Sequence, residues 1–277
     1  MILKFGIDKL SEIRIRNGCP VTLILNGEKI RLEKYVATKE DIDEIVLSAC
    51  KRSVYSYDEQ IRQGYVTSDS GERIGLAGEI IMRDGKVTTI KDFHSLCIRI
   101  PHEIIGVSDE FFNKVYRGGS VLIVSPPSVG KTTFLRDITR KISNELNKNV
   151  VVVDERNEIA CVTGGKGFNL GYYTDVLTYS DKNFGLNQAI RTLNPETIVV
   201  DELVSDTDVL NVIKTIYGGV SVIATAHSNS LENLFTREFA RYIKQIKPFE
   251  YYVLISVKQG KRVYSYFDRN FNQICLY

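Results

Sequence analysis

The sequence predicts an α/β chain, a parallel-sheet domain carrying a phosphate-binding loop, with a smaller α+β domain ahead of it. Three observations predict it. In Val121–Arg140, VLIVSPPSVGKTTFLRDITR, a short apolar run meets a glycine-bearing loop and then a helical pattern. Two later apolar runs, Val150–Val153 and Thr197–Val200, end in acids at Asp154-Glu155 and Asp201-Glu202. Runs apolar throughout suit strands buried on both faces of a parallel sheet. The first hundred residues instead alternate short strand patterns with turn signals and two helical stretches, the signature of an α+β unit.

In chain order, Ile13 and Ile15 alternate with Arg14 and Arg16, which is strand periodicity with a basic outer face. Pro20–Leu25 and Glu28–Leu32 flank Asn26-Gly27, a strong hairpin signal. Thr38 with Asp41 starts a helix through about Lys51, close to a capping box. A second helix is expected over Val54–Gln63, ending at Gly64. Strands follow at Tyr65–Ser68, Arg73–Met82, Lys86–Ile90 and Leu96–Ile100, with a turn at Asp84-Gly85. His94 and His102 read as loop residues rather than ligands. Ser108 caps a short helix ending near Tyr116, and the domains are expected to divide as residues 1–106 and 107–277.

Strand, loop and helix around Gly130-Lys131-Thr132 form the context in which this motif binds phosphate. Backbone N–H groups from Ser128, Val129, Gly130, Lys131, Thr132 and Thr133 are orphan donors converging on one point, where the helix dipole adds positive potential. Lys131 would reach the β- and γ-phosphates of ATP, and the Thr132 hydroxyl would bind Mg²⁺. The general pattern begins with glycine, where this chain has Ser125. Serine disfavours positive φ, which predicts weakened nucleotide binding.

The valine run ending in Asp154-Glu155-Arg156-Asn157-Glu158 places carboxylates at the carboxyl end of a strand, beside the ligand crevice of such sheets. A glycine-rich loop, Gly164–Gly171, follows, then Thr174–Leu177 and a helix near Phe184–Leu193. Thr197–Glu202 has the Walker B pattern, whose aspartate, Asp201, would complete the Mg²⁺ shell. Arg191 stands ahead of Asn194-Pro195, where it would report on the phosphates or brace the acidic cluster. Ser205 caps the next helix, which stops at Gly218-Gly219. Ser221–Ala226 is a further strand, with His227 at its end in reach of the γ-phosphate. Tyr251–Val257 and Arg262–Phe267 read as a closing hairpin.

Composition bounds the rest. With 36 basic and 34 acidic residues in 277, net charge implies no general tether to nucleic acid or membrane. Five scattered cysteines without a C-x-x-C pair predict reduced thiols in the cytoplasm. The first residues, MILKFGIDKL, lack a signal-peptide core, and no apolar run approaches the roughly 20 residues of a membrane span.

The ordered set SPPSVGKTTFLRDITR (125–140), VVVDERNEI (151–159), TDVL (174–177), AIRTLNPETIVVDE (189–202) and ATAH (224–227) resembles the stage III sporulation protein AA ATPases. GERIGLAGEI (71–80) and SLCIRIPHEIIG (95–106) are similar to that family's N-terminal domain. More distantly, AIRTLNPETIVVDE and TAHSNS resemble the type II and type IV secretion ATPases. The resemblance implies a RecA-like P-loop ATPase domain behind a smaller N-terminal α+β domain. It implies hydrolysis that drives assembly of, or export through, a channel complex between mother cell and forespore. The protein would then be cytoplasmic on the mother-cell side, held at the membrane by integral-membrane partners. A homo-oligomeric ring, a hexamer, is expected because the ATPase segment carries no arginine-finger signature of its own. Ser125, Tyr173, Val204-Ser205 and Ser228 depart from the family pattern, the first three bearing on the rate of hydrolysis more than on the fold.

The expected mechanism is attack of water on the γ-phosphate. Lys131 and Mg²⁺ on Thr132 and Asp201 neutralise charge, and Glu155 or Glu202 orients the water. An arginine acting across a subunit boundary is expected from Arg14, Arg16, Arg73 or Arg99. Two other readings compete: a nucleic-acid-associated RecA-like ATPase, disfavoured by the near-neutral charge, and a nucleotide-binding scaffold with little hydrolysis, motivated by Ser125.

Overall fold

The structure is a computed structural model of the chain, and it describes residues 10–25, 27–68, 72–100, 102–162 and 167–276. Contacts divide the chain into two compact units, residues 1–102 with 162–167, and residues 103–161 with 168–277. The division falls at His102 and Glu103, ahead of the 106/107 boundary expected from sequence. The reason is local: the N–H groups of Gly106 and Ser108 donate to the Asp137 carboxylate at 3.0 and 2.8 Å, fastening that segment into the second unit.

Among the described residues the first unit holds a six-stranded antiparallel sheet in the order β3-β2-β1-β6-β5-β4. The strands are β1 (Leu10–Arg16), β2 (Pro20–Leu25), β3 (Glu28–Val36), β4 (Tyr65–Thr67), β5 (Arg73–Arg83) and β6 (Lys86–Arg99). Asn26 of the expected β2–β3 turn lies outside the described residues, while Gly27 has φ +86° and Leu25 pairs Glu28. Helix α1 (Lys39–Ala49) opens on a full capping box, Thr38 with Asp41. Ile42 and Val46 of α1 bury against Leu96, Ile74 and Val66 of the sheet. The single helix expected over 54–63 is a 3₁₀ turn followed by α2 (Asp58–Arg62).

The two strands expected at 86–90 and 96–100 are one strand, β6, and His94 lies on it rather than in a loop. The polar Lys91-Asp92 reads as a break, but it is a bulge. The β5–β6 register jumps between Ala77↔Ser95 and Glu79↔Lys91, with Asp92 at φ +48°. Gly78 makes the bulge possible, because a Cβ there would stand 2.4 Å from the Lys91 carbonyl. His102 sets a ring nitrogen 2.8 Å from the Leu10 carbonyl.

Among the described residues the second unit holds an eight-stranded sheet in the order β14-β13-β12-β7-β11-β10-β8-β9. Its strands are β7 (Val121–Ser125), β8 (Val150–Asp154), β9 (Thr174–Thr178), β10 (Thr197–Glu202), β11 (Ser221–His227), β12 (Tyr251–Lys258), β13 (Lys261–Asp268) and β14 (Gln273–Ile274). From β12 to β9 neighbours are parallel, while β13 and β14 are antiparallel. The closing hairpin therefore extends the main sheet through β12, which pairs directly with β7. Thr174–Thr178, not anticipated as a strand, is the edge strand β9, and its polar residues suit an edge.

Helix α4 (Lys131–Leu146) packs on β7, β8 and β11. Helices α5 (Lys182–Thr192) and α6 (Asp206–Tyr217) pack against each other, closing Leu186, Ala189, Val209 and Val212 over Val153, Ile198 and Val200. Helix α3 (Asp109–Lys114) starts after Ser108, whose side chain is not a cap. Its Oγ donates instead to Asp137 at 2.7 Å. Among the described residues no helix is long and apolar enough to cross a membrane.

Candidate functional site

The carboxyl ends of β7, β8, β10 and β11 open on a cavity of about 480 Å³. Parallel strands alternating with helices place loop residues and helix N-termini at this end of the sheet, which is where such folds take ligands. Among the cavity's lining residues are Ser128, Gly130, Lys131, Thr132 and Thr133 from the loop after β7 and the first turn of α4. The left-handed backbone positions of that loop are Ser128, at φ +62°, and Gly130, at φ +114°. Glycine suits that φ, and a Cβ there would also crowd the Arg262 Nε at 3.1 Å. Ser125 is the buried last residue of β7, and its Oγ donates to the Pro126 carbonyl at 2.8 Å. It is not at positive φ, so serine in place of glycine carries no backbone strain there. Val129 is absent from the lining; its carbonyl accepts from the Arg262 Nε at 2.7 Å, tying β13 to the loop.

Lys131 is 6% exposed. Burial lowers its pKa, opposed by the charges of Glu202, Asp201 and Glu158, while Lys182 adds to the lowering. Asp154, with no exposure, ends β8 and accepts from the N–H groups of Glu158, Ile159 and Ala160 at 2.8, 2.9 and 2.8 Å. Burial pushes its carboxyl up to about 6 against those three donors, and nearby Asp201 pushes the same way. Asp154 thus shapes the loop that carries Glu155, Arg156 and Glu158 into the cavity wall. Arg136 of α4 holds that loop from below, with Nε to the Ile159 carbonyl at 2.7 Å and Nη2 to the Glu158 carbonyl at 2.6 Å. Its guanidinium stacks 4.3 Å from the Phe168 ring centre.

Asp201, Glu202 and His227 also line the cavity. The His227 Nδ1 lies 3.1 Å from the Ser125 carbonyl, which can only accept, so Nδ1 carries a proton. Its Nε2 lies 3.6 Å from the Glu202 carboxylate. The structure therefore brings Lys131, Thr132, Thr133, Glu155, Asp201, Glu202 and His227 to one cavity. It does not bring Arg191 there. Arg191 is exposed in the last turn of α5, which runs back from the cavity toward the opposite end of the strands. Four cationic residues that sequence reasoning gave no role also line the site: Arg136, Arg156, Lys182 and Arg262. Arg136 and Arg156 lie within the quoted stretches 125–140 and 151–159, while Lys182 of α5 and Arg262 of β13 are marked by no motif.

The donors present fit Mg²⁺. The Thr132 hydroxyl and the Asp201 carboxylate are hard oxygen ligands on the same cavity, and magnesium takes one or two protein oxygens beside phosphates and water. The convergent N–H groups and Lys131 fit a polyphosphate.

The family described as "Sporulation stage III, protein AA" matches residues 2–274. Stage III sporulation protein AA of Bacillus subtilis (strain 168) is 36% identical over 262 residues, covering 91% of this chain and 84% of that protein. The X-ray structure of the ATPase DotB from Yersinia pseudotuberculosis has a TM-score of 0.66 at 17% identity, covering 97% of this chain and 78% of that one. The pilus retraction motor PilT, solved with bound ADP, has a TM-score of 0.66 at 16% identity, covering 96% and 80%. These structures establish the fold, a RecA-like P-loop domain with a smaller N-terminal α+β domain. From the match along nearly its whole length and from the Bacillus relative, the chain belongs to the sporulation stage III protein AA family.

Proposed function

We propose that this chain is a magnesium-dependent ATPase that works as a ring on the mother-cell side of a sporulation channel complex, with integral-membrane partners holding it at the membrane. The observation that carries the reading is the single cavity shared by the phosphate loop and the acidic ends of β8 and β10. Neither the loop nor the acids alone would suffice: the loop binds a polyphosphate, and the acids supply the metal ligand and the water-orienting group.

In this mechanism the N–H groups of residues 128–133 hold the β- and γ-phosphates. Lys131 neutralises the charge that builds on the γ-phosphoryl oxygens. Thr132 and Asp201 would hold Mg²⁺, which would supply positive charge against the phosphates. Glu155 orients a water and accepts a proton from it as the water oxygen bonds to the γ-phosphorus and the bond to the β-phosphate oxygen breaks, releasing ADP and phosphate. His227, anchored on the Ser125 carbonyl, keeps the Glu202 carboxylate beside the phosphate loop. The scaffold reading loses its motive, because Ser125 is in extended strand conformation and unstrained.

The test is phosphate release with Mg²⁺ and ATP by the wild type and by Lys131→Ala. The variant is expected to fold normally, since Lys131 sits in the ligand cavity at a desolvation cost, and to lose turnover by at least about a hundredfold. Equal turnover in both proteins overturns the reading.

A further inference from the structure

We propose that Lys182 is a positioning residue of this site, fixing the Glu155 carboxylate relative to the end of β10; the proposal rests on the ATPase reading. Lys182 is the first residue of α5, behind the N-cap Asp181. A cation there faces the positive end of the helix dipole, the unfavourable end. Its side chain is only 8% exposed, and burying an ammonium is costly unless oxygens satisfy it. A residue that stands against both effects is held by what it touches.

One hydrogen bond and two ion-pair contacts surround the ammonium with oxygens. Nζ donates to the Glu202 carbonyl at 2.6 Å and lies 3.6 Å from Glu155 Oε2 and 3.7 Å from Asp208 Oδ2. These belong to three different segments: the end of β10, the loop after β8, and the first turn of α6. Asp208 is itself fixed, because its Oδ2 accepts from the N–H groups of Val204 and Ser205. The Glu202 carbonyl is fixed at the end of a buried strand. Glu155 is the exposed member, 45% accessible, and among the described residues Lys182 is its ion-pair partner. Lys182 therefore carries the rigidity of β10 and α6 to the glutamate that faces the cavity. Without it the carboxylate keeps its charge but loses its fixed direction.

Positioning of this kind acts on turnover and leaves nucleotide binding to Lys131 and the loop. A misplacement of about 1 Å at a reacting group costs on the order of a hundredfold in rate. Lys182→Met and Lys182→Arg are compared with wild type, alone and in a Glu155→Gln background. The readouts are phosphate release, binding of mant-ATP, and hydrogen–deuterium exchange without nucleotide over residues 155–161 and 202–205. Lys182→Met is expected to lower kcat roughly ten- to a hundredfold, with mant-ATP affinity within about twofold. It should speed exchange in those two segments, and β7 and β8 should stay protected. Lys182→Arg should recover part of the rate. In the Glu155→Gln background Lys182→Met should add no further loss, since it acts through that carboxylate.

A rate loss that multiplies with that of Glu155→Gln overturns the proposal, as does unchanged exchange in both segments or a loss of protection spread over the whole sheet. If the wild type itself releases no phosphate, the ATPase reading fails, and the exchange result still decides whether Lys182 pins the two segments.

Discussion

Glu155 and Glu202 share one cavity but keep different company, and that difference makes their roles separable. Glu155 stands on the loop after β8, paired with Lys182, while Glu202 stands at the end of β10 beside His227. Glu155→Gln keeps the size of the side chain and removes the charge that orients water. It is expected to bind mant-ATP normally and to lower phosphate release by about a hundredfold or more. Glu202→Gln should keep most of the turnover. Should Glu202→Gln stall and Glu155→Gln turn over normally, the two roles are exchanged. At this scale the sequence was informative wherever spacing carries chemistry: Lys131, Thr132 and Asp201 follow from motif position alone. Lys182 and Arg262 were illegible because their partners lie far along the chain, at Glu202 and Val129. Lys182 also looks like an ordinary residue behind an N-cap. Arg191 failed for a topological reason. Its neighbourhood to Asn194-Pro195 in sequence puts it before β10 begins, at the wrong end of the strand.

The acidic loop after β8 is organised by one buried carboxylate, and this gives the element a pH dependence. Asp154 is pushed up to about 6, well above an ordinary aspartate, with burial the leading cause. The folded unit thus binds this proton more tightly than the unfolded chain does. Its contribution to stability is fully present below about pH 4 and is lost as pH rises through about 6, by on the order of 2–3 kcal/mol. Urea denaturation between pH 4 and 7 should show the decline, and Asp154→Asn should flatten it. An unchanged slope in that variant would assign the titration to another group. The end of β8 was easy to foresee, since four consecutive valines admit few other readings. Element boundaries elsewhere were not. The β6 bulge depends on Gly78 giving way opposite Lys91, a contact between strands that no local pattern encodes. Strand β9 is polar enough to pass for loop because only one of its edges is paired.

For the whole molecule, we expect that a ring supplies one catalytic cation in trans, and that Arg16 is it. An arginine that meets charge appearing only in the transition state is worth about 10³–10⁵ in rate. Arg191, the arginine that sequence reasoning placed near the phosphates in cis, is not at the cavity. The first unit's strand arginines differ in how far they are committed. Arg14 pairs with Glu12 at 2.5 Å, and Arg99 lies 4.0 Å from the same carboxylate. Arg73 stacks 4.0 Å over the Tyr65 ring. Arg16 is exposed at the end of β1, with no ion-pair partner among the described residues. If a neighbour's nucleotide takes Arg16, turnover per chain should rise with protein concentration, and Arg16→Ala should lower it by about a thousandfold. Arg14→Ala should instead act mainly on the stability of the first unit, through the loss of its Glu12 pair. Mixing Lys131→Ala chains with Arg16→Ala chains should restore part of the activity, because an intact loop in one subunit then faces an intact arginine in the next. Turnover that is independent of concentration, or mixtures no more active than their components, would remove Arg16 from the mechanism and leave the site to be completed within one chain.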